Sequence, residues 1–408
     1  MTLYEELKWR GLIKDVTSPE LENKLNNEKL TFYIGTDPTA DSMHIGHYSS
    51  FLIAKRLAKA GHKPLLLIGG ATGRIGDPRP TTEREMKSIE EIEKNTKNLK
   101  KQAEEIFGFE VVDNYDWIKN INIIEFLRDY GKYFNINYML DKDIIRRRLE
   151  TGITFTEFSY MLLQSLDFLH LHETRGVNLQ VAGSDQWGNI TSGVDLIRKK
   201  LGDEVYAFTM PLILDQNGKK FGKSEGNALW LDKNKTSSYE LYQYLINTDD
   251  SMIESYLKVF TFLSPEEIMD IVSKHNNEPH LRLGQKTLAR EIITDLHGKE
   301  EYEKAVQISE NLFSGNIKEI NVNDLMIGLK DVPHFILKDE SLLDLLVNNN
   351  ICSSKREARE FLNNNAISVN GEIVNDENMF IDKTKTIEGK IVVIRRGKKK
   401  YYVGLVEE

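Results

Sequence analysis

The chain has 408 residues, enough for more than one domain. It is 40% hydrophobic and 29% charged, the balance of a water-soluble globular protein rather than a membrane-embedded or disordered one. A net charge of −9 excludes a uniformly basic nucleic-acid coat, and a lone Cys352 excludes an internal disulfide and suits the cytoplasm.

Residues 1–20 carry mixed charges and no long apolar run, so they read as neither a signal peptide nor a membrane span. Leu3 to Leu12 reads as an amphipathic lead helix. Phe32 to Ile34 has the composition of a strand, and Gly35 to Ser42 that of a turn. Helical spacing follows through Phe51, Ala54, Leu57 and Ala58, then a second strand at Pro64 to Ile68. This strand–helix–strand unit reads as a parallel crossover. It brings a helix N-terminus, with its unpaired amides, to the carboxyl edge of a sheet, which suits a phosphate. His44 and His47 stand one turn apart there and project to the same side. Gly46 between them leaves room for a flat ring. A zinc pair would need further ligands at matching spacing. With one cysteine and no nearby cluster, no protein-bound metal is expected.

The second strand runs into the glycine-dense stretch Gly69 to Pro78, a loop needing unusual dihedrals or close backbone approach. Glu83 to Phe107 reads as a charged, solvated helix, and Ile121 to Tyr130 and Lys142 to Glu150 as further helices. Phe158 to Leu171 is a long apolar helix on which Tyr160, Gln164 and Asp167 line one stripe. Their apolar neighbours argue that the stripe is buried, and a buried Asp167 requires a partner, for which a ligand hydroxyl is suitable. Val177 to Ala182 is a strand, Gly183 to Asn189 a turn at the same sheet edge, and Ile190 to Leu201 a helix. Phe208 to Leu214 is expected to close the sheet, and Asp215 to Asn227 to form a mobile loop. Thr236 to Phe313 is helical, broken near Asp249, Ser264 and Glu278. After weak periodicity from Ser314 to Asp339, the chain shows two short helices and short strands. Val369-Asn370-Gly371-Glu372 signals a hairpin. Ser341 to Glu408 holds eleven Lys/Arg against ten Asp/Glu, so it is the part least repelled by RNA. Its basic focus is Arg395, Arg396, Lys398, Lys399 and Lys400.

Two motifs carry a resemblance. Pro38 to His47 ends in His-Ile-Gly-His, and Lys220-Phe221-Gly222-Lys223-Ser224 follows nearly one Rossmann-type domain later. Together they resemble the HIGH and KMSKS signatures of class I aminoacyl-tRNA synthetases. Tyr33 and the run Tyr160 to Asp167 narrow this further, and the whole chain resembles the bacterial-type tyrosyl-tRNA synthetases. The resemblance implies an α/β fold in three parts. Residues 1–230 would be a Rossmann-type parallel-sheet catalytic domain, 231–325 an α-helical domain, 326–340 a linker, and 341–408 an α+β RNA-binding module. The helix Ser354 to Arg359 and its hairpin resemble a module of a ribosomal small-subunit protein; a plain helix with a solvated basic face is the alternative.

It also implies two reactions on tyrosine, ATP with Mg2+, and tRNA: formation of tyrosyl-adenylate and pyrophosphate, then transfer of tyrosyl to the terminal ribose. By motif position, Thr39 and His44 would meet the γ-phosphate end, His47 the ribose and Gly46 the adenine. Lys220, Lys223 and Ser224 would close over the pyrophosphate. Tyr33 and Asp167 would bind the phenol; Asp77, Tyr160 and Gln164 the ammonium; Gln180 and Gln186 the carboxylate end. Asp185 would hold the ribose with Asp37 and Gly183 nearby, Gly35 would join the nucleotide site, and Leu212 and Ile213 would flank the adenine. Two departures stand out. Ile34 replaces a cysteine of some relatives, and Arg79 to Arg84 lacks a lysine found in others, leaving Arg84 or Arg79 for the pyrophosphate. A cytoplasmic homodimer with no membrane contact is expected, with Phe155 at the interface by resemblance or in the core by sequence alone. The alternatives are a tryptophanyl enzyme or a non-catalytic RNA-binding cofactor on the same fold.

Overall fold

A computed structural model describes residues 1–79, 82, 85–224, 227–397 and 400–407. Contacts divide the chain into two compact units: Met1–Thr236 with Thr248–Glu291, and Ser237–Asn247 with Ile292–Glu408. No helix among the described residues is long and apolar enough to cross a membrane.

The first unit is built on a six-stranded sheet: β1 (Asp15–Val16), β2 (Thr31–Thr36), β3 (Lys63–Ile68), β4 (Glu110–Asp113), β5 (Leu179–Gly183) and β6 (Tyr206–Met210). The spatial order is β1-β6-β5-β2-β3-β4, parallel except for β1. Residues 65–68 of β3 and all of β6 are buried, as continuous apolar strands covered on both faces should be. The Asp15–Val16 edge pairs antiparallel with β6, so β6 is not the sheet margin that the sequence suggested. From β2 the chain moves outward through β3 and β4, and later returns to the opposite side of β2 as β5 and β6. The order therefore reverses between β2 and β5, where Tyr33 lies beside Gln180. A crevice at the carboxyl ends of two such strands is where a parallel α/β sheet binds ligands.

Helix Ile45–Lys59 follows β2, burying Tyr48, Phe51, Leu52, Ile53, Ala54 and Leu57. Helix Phe155–Arg175 is longer than the apolar run suggested, because Thr154 caps Glu157 N–H at one end and Gly176, at φ 65°, ends the other. Its inner face joins Tyr33, Leu65, Leu67 and Leu196 in one core. The charged helix begins at Ile89, capped by Ser88, rather than at Glu83. Phe155 is 76% exposed and so is not core.

In the second unit a five-stranded sheet runs in the order Glu372–Ile373, Ile367–Val369, Ile391–Arg396, Lys400–Leu405, His334–Ile336. Alternation along the central strand feeds two cores. Val392 and Ile394 pack with Leu342, Leu346, Ala358 and Leu362, whereas Ile391 and Val393 pack with Ile308, Leu312 and Leu325. Residues 326–340, read from sequence as a linker, thus contain a strand that pairs with Lys400–Leu405. The hairpin turn puts Asn370 at φ 50° and Gly371 at φ 89°, the two positive values that a two-residue turn needs. Lys398 and Lys399 lie outside the described residues.

Candidate active site

A cavity of about 350 Å³ opens at the reversal point between β2 and β5. The sequence-predicted residues Tyr33, Gly35, Asp37, Thr39, His44, His47, Asp77, Tyr160, Gln164, Asp167, Gln180, Asp185, Gln186 and Lys220 all line it. Gly46, Gly183, Leu212 and Ile213 do not. Gly183 and Leu212 are nonetheless neighbours, since a methyl placed on Gly183 would meet Leu212 at 3.9 Å and the Asp185 carboxylate at 2.6 Å. Arg84 lies outside the described residues, as do the side chains of Lys223 and Ser224.

At one end the Tyr33 hydroxyl is buried with no hydrogen-bond partner, and burial beside Asp167 raises its pKa well above the ordinary phenol value. Asp167, 2% exposed, accepts from Asn114 Nδ2 at 3.0 Å and from Trp117 Nε1 at 2.9 Å. Its partners are therefore protein donors that the sequence reading missed, not a ligand alone. Burial pushes its carboxyl up to about 8, against the downward pull of those two bonds. The amide Oε1 of Gln164 is also buried without a partner.

Asn114 continues the chain of contacts. It donates to Thr72 Oγ1 at 3.0 Å, Thr72 donates to Asp37 at 2.7 Å, and the Tyr160 hydroxyl donates to the other Asp37 oxygen at 2.8 Å. Gly69 is required beneath this network, because a methyl there would lie 2.1 Å from Asp37 Oδ1 and 2.2 Å from Thr72 Oγ1. On the opposite wall, Gln186 and Asn189 donate to the two oxygens of Asp77 at 2.8 and 3.1 Å. Asn114, Trp117, Thr72 and Asn189 carry no motif; only the rule that a buried carboxylate needs donors could have prompted a search for them.

The histidines occupy the other end. His44 is the N-cap of its helix, and its Nδ1 accepts from Gly46 N–H at 3.1 Å. His47 Nδ1 accepts from His44 N–H at 3.1 Å. Acceptance at Nδ1 puts the proton of each neutral ring on Nε2, so each can present an N–H donor. Burial, with His44 alongside, lowers the His47 pKa to about 3.

The lysine-rich loop is anchored at its foot. Phe221 packs on Tyr256 and Phe260 with ring centroids 4.7 Å away in each case. Gly222, at φ 82°, crosses Ile45 so closely that a methyl would fall 1.8 Å from its Cγ2. Leu229 and Met43 carbonyls accept from Ile45 and Leu231 N–H at 2.8 Å, lacing the loop's return to the first motif.

A parallel sheet with this reversal point, paired histidines at a helix N-terminus and a lysine loop laced to them define a class I aminoacyl-tRNA synthetase. Residues 25–314 match the family model "tRNA synthetases class I (W and Y)", and residues 324–404 match "Tyrosine--tRNA ligase SYY-like C-terminal domain". A tyrosine--tRNA ligase of Macrococcus caseolyticus is 50% identical over 98% of both chains, and one of Listeria monocytogenes 49% identical over 99% of both. Among solved structures, a C-terminally truncated mitochondrial tyrosyl-tRNA synthetase of Aspergillus nidulans matches with TM-score 0.67 and 34% identity. That match covers 76% of this chain and 94% of the other. The chain belongs to the tyrosine–tRNA ligase family, and the tryptophanyl alternative is not favoured.

Proposed function

We infer that this chain activates tyrosine with ATP and transfers it to tRNA through the residues around the 350 Å³ cavity. The observation that carries the reading is the buried, unpartnered Tyr33 hydroxyl facing Asp167. A phenolic hydroxyl between them would satisfy Tyr33 and add a third contact to the carboxyl; phenylalanine would leave Tyr33 unpaired at a cost of about 1–3 kcal/mol. Asp77, Tyr160 and Gln164 would take the ammonium. The substrate carboxylate, near Gln180 and Gln186, would attack the α-phosphorus as the bond to the β-phosphate oxygen breaks. His44, Thr39 and Lys220 would stabilise charge on the departing pyrophosphate, with Lys223 and Ser224 following by motif position. Loss of one such donor costs roughly 3 kcal/mol of transition-state stabilisation. His47, neutral, would donate toward the ribose, with Gly35, Asp37, Gly46, Gly183, Asp185, Leu212 and Ile213 around the nucleoside. Mg2+ enters with ATP as part of that substrate.

The exposed apolar side chains Ile123, Ile124, Leu127, Ile136, Leu149 and Phe155 fall within one stretch, residues 123–155, and support a homodimer through it. The same reading puts the protein in the cytoplasm and the second unit on tRNA. Tyrosine, phenylalanine and tryptophan compared in amino-acid-dependent ATP–pyrophosphate exchange test the assignment. Tyrosine alone should support exchange, Tyr33→Phe should weaken that preference, and exchange with tryptophan would overturn the reading.

A further inference from the structure

We propose that Arg148 is a positioning residue for the activation step, holding Arg79 on the pyrophosphate side of the site. The proposal rests on the ligase reading. Arg148 and Glu157 are 3% and 2% exposed and form a two-pronged pair, Nη2 to Oε2 at 2.8 Å and Nη1 to Oε1 at 3.2 Å. Nε donates to the Gly152 carbonyl at 3.1 Å. Nη1 also reaches 69 and 66 residues back along the chain, donating to the carbonyls of Arg79 at 3.0 Å and Thr82 at 3.1 Å.

A buried ion pair is weak evidence for stability, since apolar side chains of similar volume often serve as well. What calls for a guanidinium here is the planar fork, which reaches a carboxylate and three carbonyls at once; an ammonium has no such geometry. The carbonyls of Arg79 and Thr82 belong to the segment that leaves the cavity directly after Asp77 and Pro78. Proline fixes one backbone angle, and Arg148 fixes the peptide that follows. The side chain on that peptide, Arg79, lines a second cleft of about 110 Å³ whose charged lining also includes Asp37, Glu85 and Lys87, with Thr39 beside them. Asp37 and Thr39 line the main cavity as well, so the two spaces adjoin. The Arg79 side chain is exposed, and the cleft it lines adjoins the end of the site assigned to the leaving pyrophosphate. Asp77 has its own side-chain anchors in Gln186 and Asn189, so the amino-acid end does not depend on Arg148 for its carboxylate.

The test compares wild type, Arg148→Lys, Arg79→Ala, their combination, and the charge-free pair Arg148→Met with Glu157→Met. Each is measured for ATP–pyrophosphate exchange, tyrosine dissociation constant by equilibrium dialysis, and thermal melting. In Arg148→Lys and the charge-free pair, the KM for pyrophosphate should rise or kcat fall by about 10–100-fold, the effect of a misplacement of about 1 Å. The tyrosine dissociation constant should stay within about threefold, and Arg79→Ala should add little in the Arg148→Lys background. Wild-type exchange kinetics in a folded variant would overturn the proposal. So would an equal loss of tyrosine and pyrophosphate binding, which marks general loosening. If the charge-free pair fails to fold, Arg148→Lys and the additivity with Arg79→Ala decide. Wild type without tyrosine-dependent exchange would overturn the ligase reading first, and this proposal with it.

Discussion

Replacing Asp167 by Asn should make the protein's stability less dependent on pH. In the native state burial holds the Asp167 carboxyl at about 8, whereas an exposed aspartate titrates near 3.8. Between those values the folded protein keeps a proton that the unfolded chain has lost. Stability contributed by this site therefore falls as pH rises, by about 1.4 kcal/mol per unit over the window, and levels off above pH 8. From pH 5 to pH 8 the expected loss is roughly 3–4 kcal/mol. The Asn variant cannot ionise. It pays a different and constant penalty, because its amide cannot accept at both the Asn114 and Trp117 positions; one unmade bond costs about 1–3 kcal/mol. The variant should thus be the less stable protein at pH 5 and draw level or pass wild type near pH 8. Urea unfolding of both proteins at pH 5, 6, 7 and 8 gives the difference directly. A gap that does not change with pH would show that the Asn114 and Trp117 donors keep Asp167 ionised throughout, and would refute the burial argument. In the same variant, tyrosine-dependent exchange should collapse at every pH.

Nuclear magnetic resonance of the imidazole ring should show His47 neutral from pH 8 down to about pH 4, because its pKa is lowered to about 3; a midpoint near 6.5 would contradict the burial of that ring. Gly222→Ala meets both a positive φ and the Ile45 methyl, so the lysine loop should detach and exchange should fall at least tenfold while tyrosine binding changes little. Gln186→Ala removes the Nε2 donor at 2.8 Å from Asp77 and should raise the tyrosine KM by about tenfold, a loss of about 1–2 kcal/mol. Asn370→Val forces a β-branched residue to φ 50° and should destabilise the second unit by about 1–2 kcal/mol, read by its thermal transition.

Much of the fold was legible because periodicity and motif reinforce each other. The β2–helix–β3 unit could be read from an apolar run, a turn and a helical stripe in succession. Strands β1 and β4 could not: Asp15–Val16 and Glu110–Asp113 are too short and too polar to show a pattern, and tertiary pairing alone makes them strands. The same holds for His334–Ile336, whose alternation is invisible without the neighbouring strand. Within the site, motif residues were found because type and order mark them. Asn114, Trp117, Thr72 and Asn189 were not, because they act on carboxylates brought near by folding and share no spacing with them. Phe155 could be read two ways from sequence, as any lone aromatic could, until its exposure decided against the core.

The carboxylates of the cavity and the lysine-rich loop meet at Lys220. Asp37, Asp77, Asp167 and Asp185 line the cavity, and Lys220 is the lysine among its lining residues. Three of the carboxylates take neutral donors: Thr72 and Tyr160 on Asp37, Gln186 and Asn189 on Asp77, Asn114 and Trp117 on Asp167. These donors are neutral and satisfy lone pairs, and Asp167, held at about 8, keeps its proton below that pH, so an ammonium in this cavity is met by Asp77 and Asp37 rather than by Asp167. Ionised carboxylates repel phosphates. In the proposed reading the phosphates instead lie toward the Nε2–H groups of two neutral histidines, which attract oxygen without adding cations beside the carboxylates. Lys220 comes from a loop whose foot is packed through Phe221 on Tyr256 and Phe260 and through Gly222 on Ile45 of the HIGH helix.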